Sequence, residues 1–135
     1  MIKLIMGEKG TGKTKNLIEQ VNATAASVPG NVVCIESAAM MTYNIKPQVR
    51  LLNAEEYGLT SYEVFRGFLS GLYAGNYDIS HIYIDNLCKI CGDMGAETDK
   101  FLSWLEGFSA SSGVEFVLTI SAPESEASDA MKKYL

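Results

Sequence analysis

Eight consecutive residues near the amino terminus have the types and spacing needed to bind phosphate. Segment 7–14 reads GEKGTGKT and matches the P-loop pattern G-x-x-x-x-G-K-[ST]. The apolar run 1–6 before it predicts a buried strand, and segment 15–27 after it carries apolar residues at helical spacing. Strand, glycine-rich loop and helix, in this order, are the context in which the P-loop occurs. We therefore expect this segment to bind the phosphates of a nucleotide.

The residue types in this segment each have a chemical use. Glycine lets the backbone turn tightly and approach a phosphate with no Cβ in the way. Backbone amides in such a loop, together with the start of the next helix, form a site for an anion. We expect Lys13 to reach the β- and γ-phosphates and Thr14 to offer its hydroxyl to Mg²⁺.

A second candidate ligand ends an apolar strand later in the chain. Segment 82–85 reads IYID, the Walker B pattern, in which the carboxylate holds Mg²⁺ directly or through a water. The other carboxylates of this region, Asp78, Asp93 and Asp99, do not follow apolar strands. Asp85 is therefore the preferred metal ligand, and the alternative is an aspartate that only caps the end of its strand.

The rest of the chain alternates predicted strands with predicted helices. Strands are expected at 31–36, within 79–87 and at 114–120, with a short edge strand at 49–53; helices are expected at 60–75 and 98–110. Because most of these strands are apolar throughout, we expect a mainly parallel sheet of four to five strands, covered on both faces in a three-layer α/β sandwich. No linker or repeat divides the chain, so 1–135 is predicted to be a single nucleotide-binding domain.

Ligands bind such sheets at the carboxyl ends of their strands. The residues expected there, besides the P-loop, are Glu36, Asp85, Asn86 and segment 119–121.

Smaller signals predict helix starts and a loop. Thr60, three residues before Glu63, has the spacing of a capping box, and Ser121 stands three residues before Glu124. Segment 37–48 is predicted as a loop, in which the candidate partner contacts are Met40, Met41 and Tyr43. The alternative is that these three side chains pack under the sheet.

The P-loop and the Asp85 strand together resemble the P-loop NTPase superfamily, and within it the additional-strand division of RecA- and AAA-like ATPases. The fold pattern of nearly the whole chain fits, but only the two motifs are specific. In that division a polar residue ends the strand after Walker B and senses the γ-phosphate; Thr119 or Ser121 would do so here, with a helix cap as the alternative for Ser121. The resemblance implies that the metal ligands are Thr14 and Asp85 and that Lys13 and Asp85 are catalytic; Glu36 is added to the catalytic residues as a candidate base. The nucleotide contacts that it implies are Gly7, Glu8, Lys9, Gly10, Thr11, Gly12, Lys13, Thr14, Lys15 and Thr119.

The chain departs from the division at the position after Asp85. These ATPases usually carry a glutamate there or nearby as general base, whereas this chain has Asn86, whose amide cannot accept a proton at neutral pH. Glu36 and Glu8 are the candidate substitutes. The chain's arginines, Arg50 and Arg66, do not stand in the context of an arginine finger. Slow or partner-dependent hydrolysis is therefore expected.

The resemblance implies a minimal ATP-binding protein with Mg²⁺ as cofactor and weak or partner-stimulated ATPase activity. ATP is preferred to GTP because no N-K-x-D follows a strand. One alternative is a nucleoside-type small-molecule kinase; thymidine-kinase-like proteins share related motifs but usually have glutamate after the aspartate and two C-x-x-C pairs, where this chain has Asn86 and one pair. The other alternative is a regulator that senses nucleotide without hydrolysing it.

Composition and charge limit the partners and the compartment. The net charge of −5, with no lysine and arginine cluster outside the P-loop, argues against a nucleic-acid partner. No apolar run reaches membrane-spanning length, and the first residues lack the layout of a signal peptide. We expect a cytoplasmic protein whose partners are ATP or ADP and either another protein or a second copy of itself.

Three cysteines, an odd number, suit a reducing compartment. Cys88 and Cys91 form a lone C-x-x-C, and a zinc site would need two more ligands, for which Cys34 and His81 are available by type. His81 is expected at the far end of the strand that leads to Cys88. Two partly buried thiols are therefore favoured over a metal or redox site.

Overall fold

The computed structural model describes residues 1–38 and 44–135. Within these residues lie five strands: β1 (Ile2–Gly7), β2 (Asn31–Glu36), β3 (Arg50–Asn53), β4 (Ile79–Ile84) and β5 (Glu115–Ser121). They form one sheet in the order β1-β5-β4-β2-β3, and each neighbouring pair runs parallel. The prediction of an α/β fold built on a parallel sheet is confirmed, including the short strand at the edge.

The described residues also contain five α-helices: α1 (Lys13–Ser27), α2 (Tyr62–Gly75), α3 (Leu87–Cys91), α4 (Ala96–Ser112) and α5 (Asp129–Lys132). Short 3-10 turns occupy Ala54–Tyr57 and Glu124–Glu126. No helix in the described part of the chain has the length and apolar character needed to cross a membrane.

The strands bury side chains on both faces of the sheet. On β2, Val32 and Cys34 pack with Leu17 of α1, whereas Val33 and Ile35 belong to the core on the opposite face. Because successive side chains of a strand point to opposite faces, this division requires the continuous apolar run that the sequence has there. The sheet is therefore the middle layer of three.

The larger core lies between the sheet and the helices α2, α3, α4 and α5. Phe65 of α2 and Phe101 of α4 are fully buried and stack with ring centroids 5.8 Å apart. Trp104 packs on Phe101 and Phe108, with ring centroids 6.0 and 5.2 Å apart. Burying each phenylalanine side chain contributes about 1.5–3 kcal/mol to folding.

Two predicted helix starts are wrong. The cap of α2 is Ser61, whose hydroxyl accepts a hydrogen bond from the amide of Val64 at 3.1 Å, and Thr60 is exposed one residue earlier. Ser121 does not cap a helix, because it continues β5 in register with Gly7 of β1. The last helix, α5, is instead capped by Ser128.

The helix α3 lies in a region for which the sequence predicts only the end of a strand. Its residues Leu87, Ile90 and Cys91 are buried. The helix therefore packs its apolar side into the larger core, directly after the strand that ends before Asp85.

Candidate nucleotide-binding site

The loop between β1 and α1 has a backbone that depends on glycine. Gly10 and Gly12 have φ angles of 86° and 85°, in the left-handed region that glycine adopts without strain. At Gly7 a Cβ would lie only 2.8 Å from the hydroxyl of Thr11, so a side chain there would disturb the loop. The glycines of the motif are thus explained by the conformation of the loop.

Lys13 begins α1 and turns its side chain back over the loop. The side chain is only 8% exposed, and Nζ donates a hydrogen bond to the carbonyl oxygen of Glu8 at 2.9 Å. The hydroxyl of Thr11 donates to the same carbonyl at 2.7 Å, while the residue Glu8 is itself exposed. An ammonium group has three protons to donate, so two remain for an anion held in the loop.

The two sequence motifs meet at Asp85. The hydroxyl of Thr14 donates to Oδ2 of Asp85 at 3.0 Å, and the hydroxyl of Thr119 donates to Oδ1 at 2.6 Å. Asp85 is 6% exposed, and its carboxylate is held by hydrogen bonds from α1 on one side and from β5 on the other. A hydroxyl and a carboxylate are oxygen ligands of the kind that Mg²⁺ takes while it keeps several waters. The predicted metal ligands are therefore adjacent, and their chemistry fits Mg²⁺.

Asn86, the residue after Asp85, has an unusual backbone. Its φ and ψ are both 60°, and it is the one non-glycine residue with positive φ among those described. Asparagine tolerates this left-handed conformation better than most residues do. Its backbone amide donates to the hydroxyl of Thr119 at 2.9 Å, and its side-chain Oδ1 accepts from the hydroxyl of Ser121 at 2.8 Å.

Thr119 lies beneath the site. It is 0% exposed, its one hydroxyl proton is directed to Asp85, and its oxygen receives the amide of Asn86. Because a hydroxyl has a single proton, Thr119 cannot donate to a phosphate while it holds Asp85. The geometry favours a positioning role for Thr119 over the predicted role as a phosphate sensor.

A cleft of about 580 Å³ opens beside Thr14 and Asp85. Glu36 lines it and is only 2% exposed; it lies next to Asp85 because Ile35 pairs with Ile84 in the sheet. The residues that line the cleft are Thr14, Lys15, Ile18, Glu19, Glu36, Ser37, Ala38, Asn44, Asp85, Asn86 and Lys89. The predicted base therefore stands beside the predicted metal ligands, and the described lining includes no arginine.

A smaller cleft of about 300 Å³ adjoins the other side of Asn86. Lys9 of the loop and Ser121 line it, and Lys89 borders both clefts. Lys89 was not predicted as a site residue, because a lone exposed lysine on an unpredicted helix gives no sequence signal. Lys15, predicted from the motif, lines the larger cleft.

The cysteines have the character of structural residues. Burial raises the pKa of Cys91 to about 12, and burial also raises the pKa of Cys88. Burial, followed by the nearby charges of Asp85 and Glu36, raises the pKa of Cys34 to about 12. Thiols with raised pKa values stay protonated at neutral pH and are poor nucleophiles and metal ligands.

Two further predictions concern a zinc site and the partner contacts in segment 37–48. In residues 1–38 and 44–135, no three His, Cys, Asp or Glu side chains are grouped to hold a metal, so a zinc site on Cys88 and Cys91 gains no support. A magnesium site of the P-loop kind needs no such group, since waters and phosphates complete it. Met40, Met41 and Tyr43 lie outside the described residues.

No protein-family model matches the chain, and no curated protein matches it either.

Proposed function

We propose that this chain binds ATP with Mg²⁺ at the loop 7–14 and hydrolyses it slowly, or faster with a partner. The contact between Thr14 and Asp85, 3.0 Å apart, carries the proposal. A glycine-rich turn that occurs by chance gives no reason for the threonine at its end to meet a strand-end aspartate. In a P-loop protein these two residues share one Mg²⁺ ion, and so they must be neighbours.

The order of the strands supports the same proposal. β5 lies between β1, which leads into the loop, and β4, which leads into Asp85. The additional-strand division of P-loop ATPases, which the sequence resembles, is named for a strand in this place. The resemblance therefore extends from the two motifs to the way in which the sheet connects them.

The site residues suit separate tasks in such a reaction. The loop amides and Lys13 would bind the β- and γ-phosphates, and Thr14 and Asp85 would hold Mg²⁺, which neutralises phosphate charge when bound. Glu36 is the candidate that would accept the proton of an attacking water, since its carboxylate lines the cleft beside Asp85. Thr119 would keep the carboxylate of Asp85 in place.

The same site explains why the proposed activity is slow. Asn86 stands where related ATPases usually carry their glutamate, and an amide cannot take a proton from water. The positive charges on the cleft come from lysines, Lys15 and Lys89, in place of an arginine that would make two parallel contacts to a phosphate. A partner that supplies an arginine would raise the rate by a large factor.

A small-molecule kinase is the second candidate, and the cleft itself favours it. About 580 Å³ beside Thr14 and Asp85 is within the range of clefts that bind small molecules. In that case an acceptor hydroxyl would replace water next to Glu36. A nucleotide-sensing regulator without hydrolysis is the third, and Asn86 is its support.

Thermal unfolding with added nucleotide tests the binding proposal. Ligand that binds only the folded state raises the melting temperature by mass action. We expect ATP, ADP and a non-hydrolysable ATP analogue to stabilise the protein when Mg²⁺ is present, and GTP to do so less. Lys13→Ala should remove this stabilisation, and Lys3→Ala, which deletes an exposed lysine of β1, should keep it. Equal stabilisation of both variants would overturn the phosphate role of Lys13.

Metal dependence tests Asp85 separately. Asp85→Asn keeps the size of the side chain but removes the charge that Mg²⁺ needs, so we expect the extra stabilisation by Mg²⁺ with ATP to be lost. Asp78→Asn, on an exposed residue just before β4 and so at the opposite end of that strand from Asp85, is the matched control. Phosphate release by the same samples then separates the three candidate functions. Phosphate released with water alone indicates an ATPase, and ADP formed only with an added nucleoside indicates a kinase. A protein that binds ATP but gives neither product is a nucleotide sensor.

A further inference from the structure

Asn86 forms the wall between the two clefts of the site. It lines the larger cleft together with Thr14, Asp85 and Glu36, and it lines the smaller one together with Lys9 and Ser121. Its side chain is therefore next to the loop and next to the predicted metal ligands at once.

The orientation of its side-chain amide is set by Ser121. The hydroxyl of Ser121 donates to Oδ1 of Asn86 at 2.8 Å, and Ser121 borders only the smaller cleft. Oδ1 and Nδ2 are the two ends of one planar amide group, so Nδ2 is turned away from Ser121, and Asn86 also lines the larger cleft, which Ser121 does not line. Among the described residues, none accepts a hydrogen bond from Nδ2.

The neighbouring hydroxyl cannot supply this donor. Thr119 is fully buried, and its single proton is held by Asp85. The backbone amide of Asn86 is also committed, because it donates to Thr119. Of these three donors, Nδ2 of Asn86 is the one whose protons have no acceptor among the described residues.

We propose that Asn86 binds the terminal phosphate of ATP through Nδ2, and that Ser121 is a positioning residue that fixes the direction of this amide. The inference rests on the proposed function, since it assumes that ATP occupies the loop. It goes further by naming the residue that distinguishes ATP from ADP. An amide in this place donates to phosphate but removes no proton from water, so the site holds ATP longer than it would with glutamate.

The backbone conformation of Asn86 allows its side chain to be removed without strain. Glycine adopts a φ of 60° at least as easily as asparagine, so Asn86→Gly deletes the amide without straining the chain. Asn86→Asp keeps the shape and still accepts from Ser121, but it turns a donor into a charged acceptor that faces the phosphates.

The measurement is titration calorimetry with ADP and with a non-hydrolysable ATP analogue, both with Mg²⁺. We expect Asn86→Gly to lower the preference for the analogue over ADP about tenfold, the loss typical of one hydrogen bond to a charged group. Asn86→Asp should lower the preference further. An unchanged preference in both variants would show that Asn86 serves only the backbone turn and would overturn the proposal.

Ser121 provides the second arm, which does not depend on how well the Asn86 variants fold. Ser121→Ala should lower the preference for the analogue, Ser121→Thr should restore it, and Ser111→Ala, at the exposed end of α4, should leave it as in the wild type. Loss in Ser121→Ala without recovery in Ser121→Thr would contradict the positioning role. Wild-type protein that binds neither nucleotide would overturn the proposed function itself, a result distinct from binding with an unchanged preference.

Discussion

At the scale of single residues, the site depends on a short chain of hydrogen bonds between side chains. Thr14 and Thr119 both donate to Asp85, and the amide of Asn86 donates to Thr119. A buried carboxylate is costly unless its oxygens receive hydrogen bonds, and here both oxygens do. The same bonds that make the carboxylate tolerable inside the protein also fix its direction toward α1.

Replacing Thr119 with valine tests this chain. Thr119→Val keeps the volume but leaves Oδ1 of Asp85 and the amide of Asn86 without a partner, so we expect a loss of about 1–3 kcal/mol in the free energy of unfolding. Thr119→Ser, which keeps the hydroxyl and loses a methyl group, should cost about 1 kcal/mol. Urea denaturation at pH 7 measures both. Equal losses in the two variants would mean that the methyl group, and not the hydroxyl, matters.

The sequence predicts which residues of the candidate site lie together better than it predicts their hydrogen bonds. The P-loop pattern and the apolar strand before Asp85 are local signals, and the residues they predict lie together. The left-handed backbone of Asn86 and the burial of Thr119 depend on how β4 and β5 pair. A pattern along one strand cannot show which hydroxyl protons are already used by a neighbour from another strand.

At the scale of elements, apolar periodicity predicts most of the strands and helices, but it does not predict α3. A helix of five residues has almost no stability by itself, because helix nucleation is unfavourable. α3 exists because its apolar side is buried and because the hydroxyl of Tyr62 binds the carbonyl oxygen of Gly92 at 2.9 Å, just after the helix. Contacts of this kind join distant segments and leave no local signal.

The cap of α2 gives a prediction at the same scale. Ser61→Ala removes the hydroxyl that accepts from Val64, and we expect it to lower the free energy of unfolding by about 1 kcal/mol. Thr60→Ala, one residue earlier and exposed, should change stability by less than about 0.5 kcal/mol. Denaturation of the two variants side by side decides which residue caps the helix. A larger loss in Thr60→Ala would contradict the hydrogen bond at Ser61.

At the scale of the whole molecule, one sheet joins two cores. The smaller core contains Leu17, Val21, Val32 and Cys34, and the larger one lies on the opposite face. Since β2 contributes side chains to both, neither core can come apart without disturbing the sheet between them. We therefore expect the described parts of the chain to unfold as one cooperative unit, as most domains of this size do. The continuous apolar strands predict the two faces, but the order of the strands depends on pairing between distant segments.

The thiol in the smaller core allows this cooperativity to be tested by pH. Burial raises the pKa of Cys34 to about 12 from an ordinary value of 9.0. Between these two values the unfolded chain releases this proton and the folded chain keeps it, so the folded state binds more protons there. The contribution of this thiol to the free energy of unfolding is fully present below pH 9.0 and is lost as the pH rises toward 12.

Cys34→Ala should therefore lower the free energy of unfolding at pH 8. Above pH 9 the free energy of unfolding of this variant should fall less steeply with pH than that of the wild type, by about 1.4 kcal/mol per pH unit for one proton. Val32→Ala is the matched control: it truncates a buried side chain in the same core without removing an ionisable group, so it should keep the wild-type slope. Urea denaturation at intervals from pH 8 to pH 11 gives the slopes. Because the two cores share β2, probes of the larger core, such as the fluorescence of Trp104, should report the same change of slope as probes of the whole chain. Equal slopes of stability against pH in Cys34→Ala and Val32→Ala would mean that this thiol ionises at the same pH in the folded and unfolded chains. A change of slope seen by one probe alone would mean that the two faces of the sheet unfold separately.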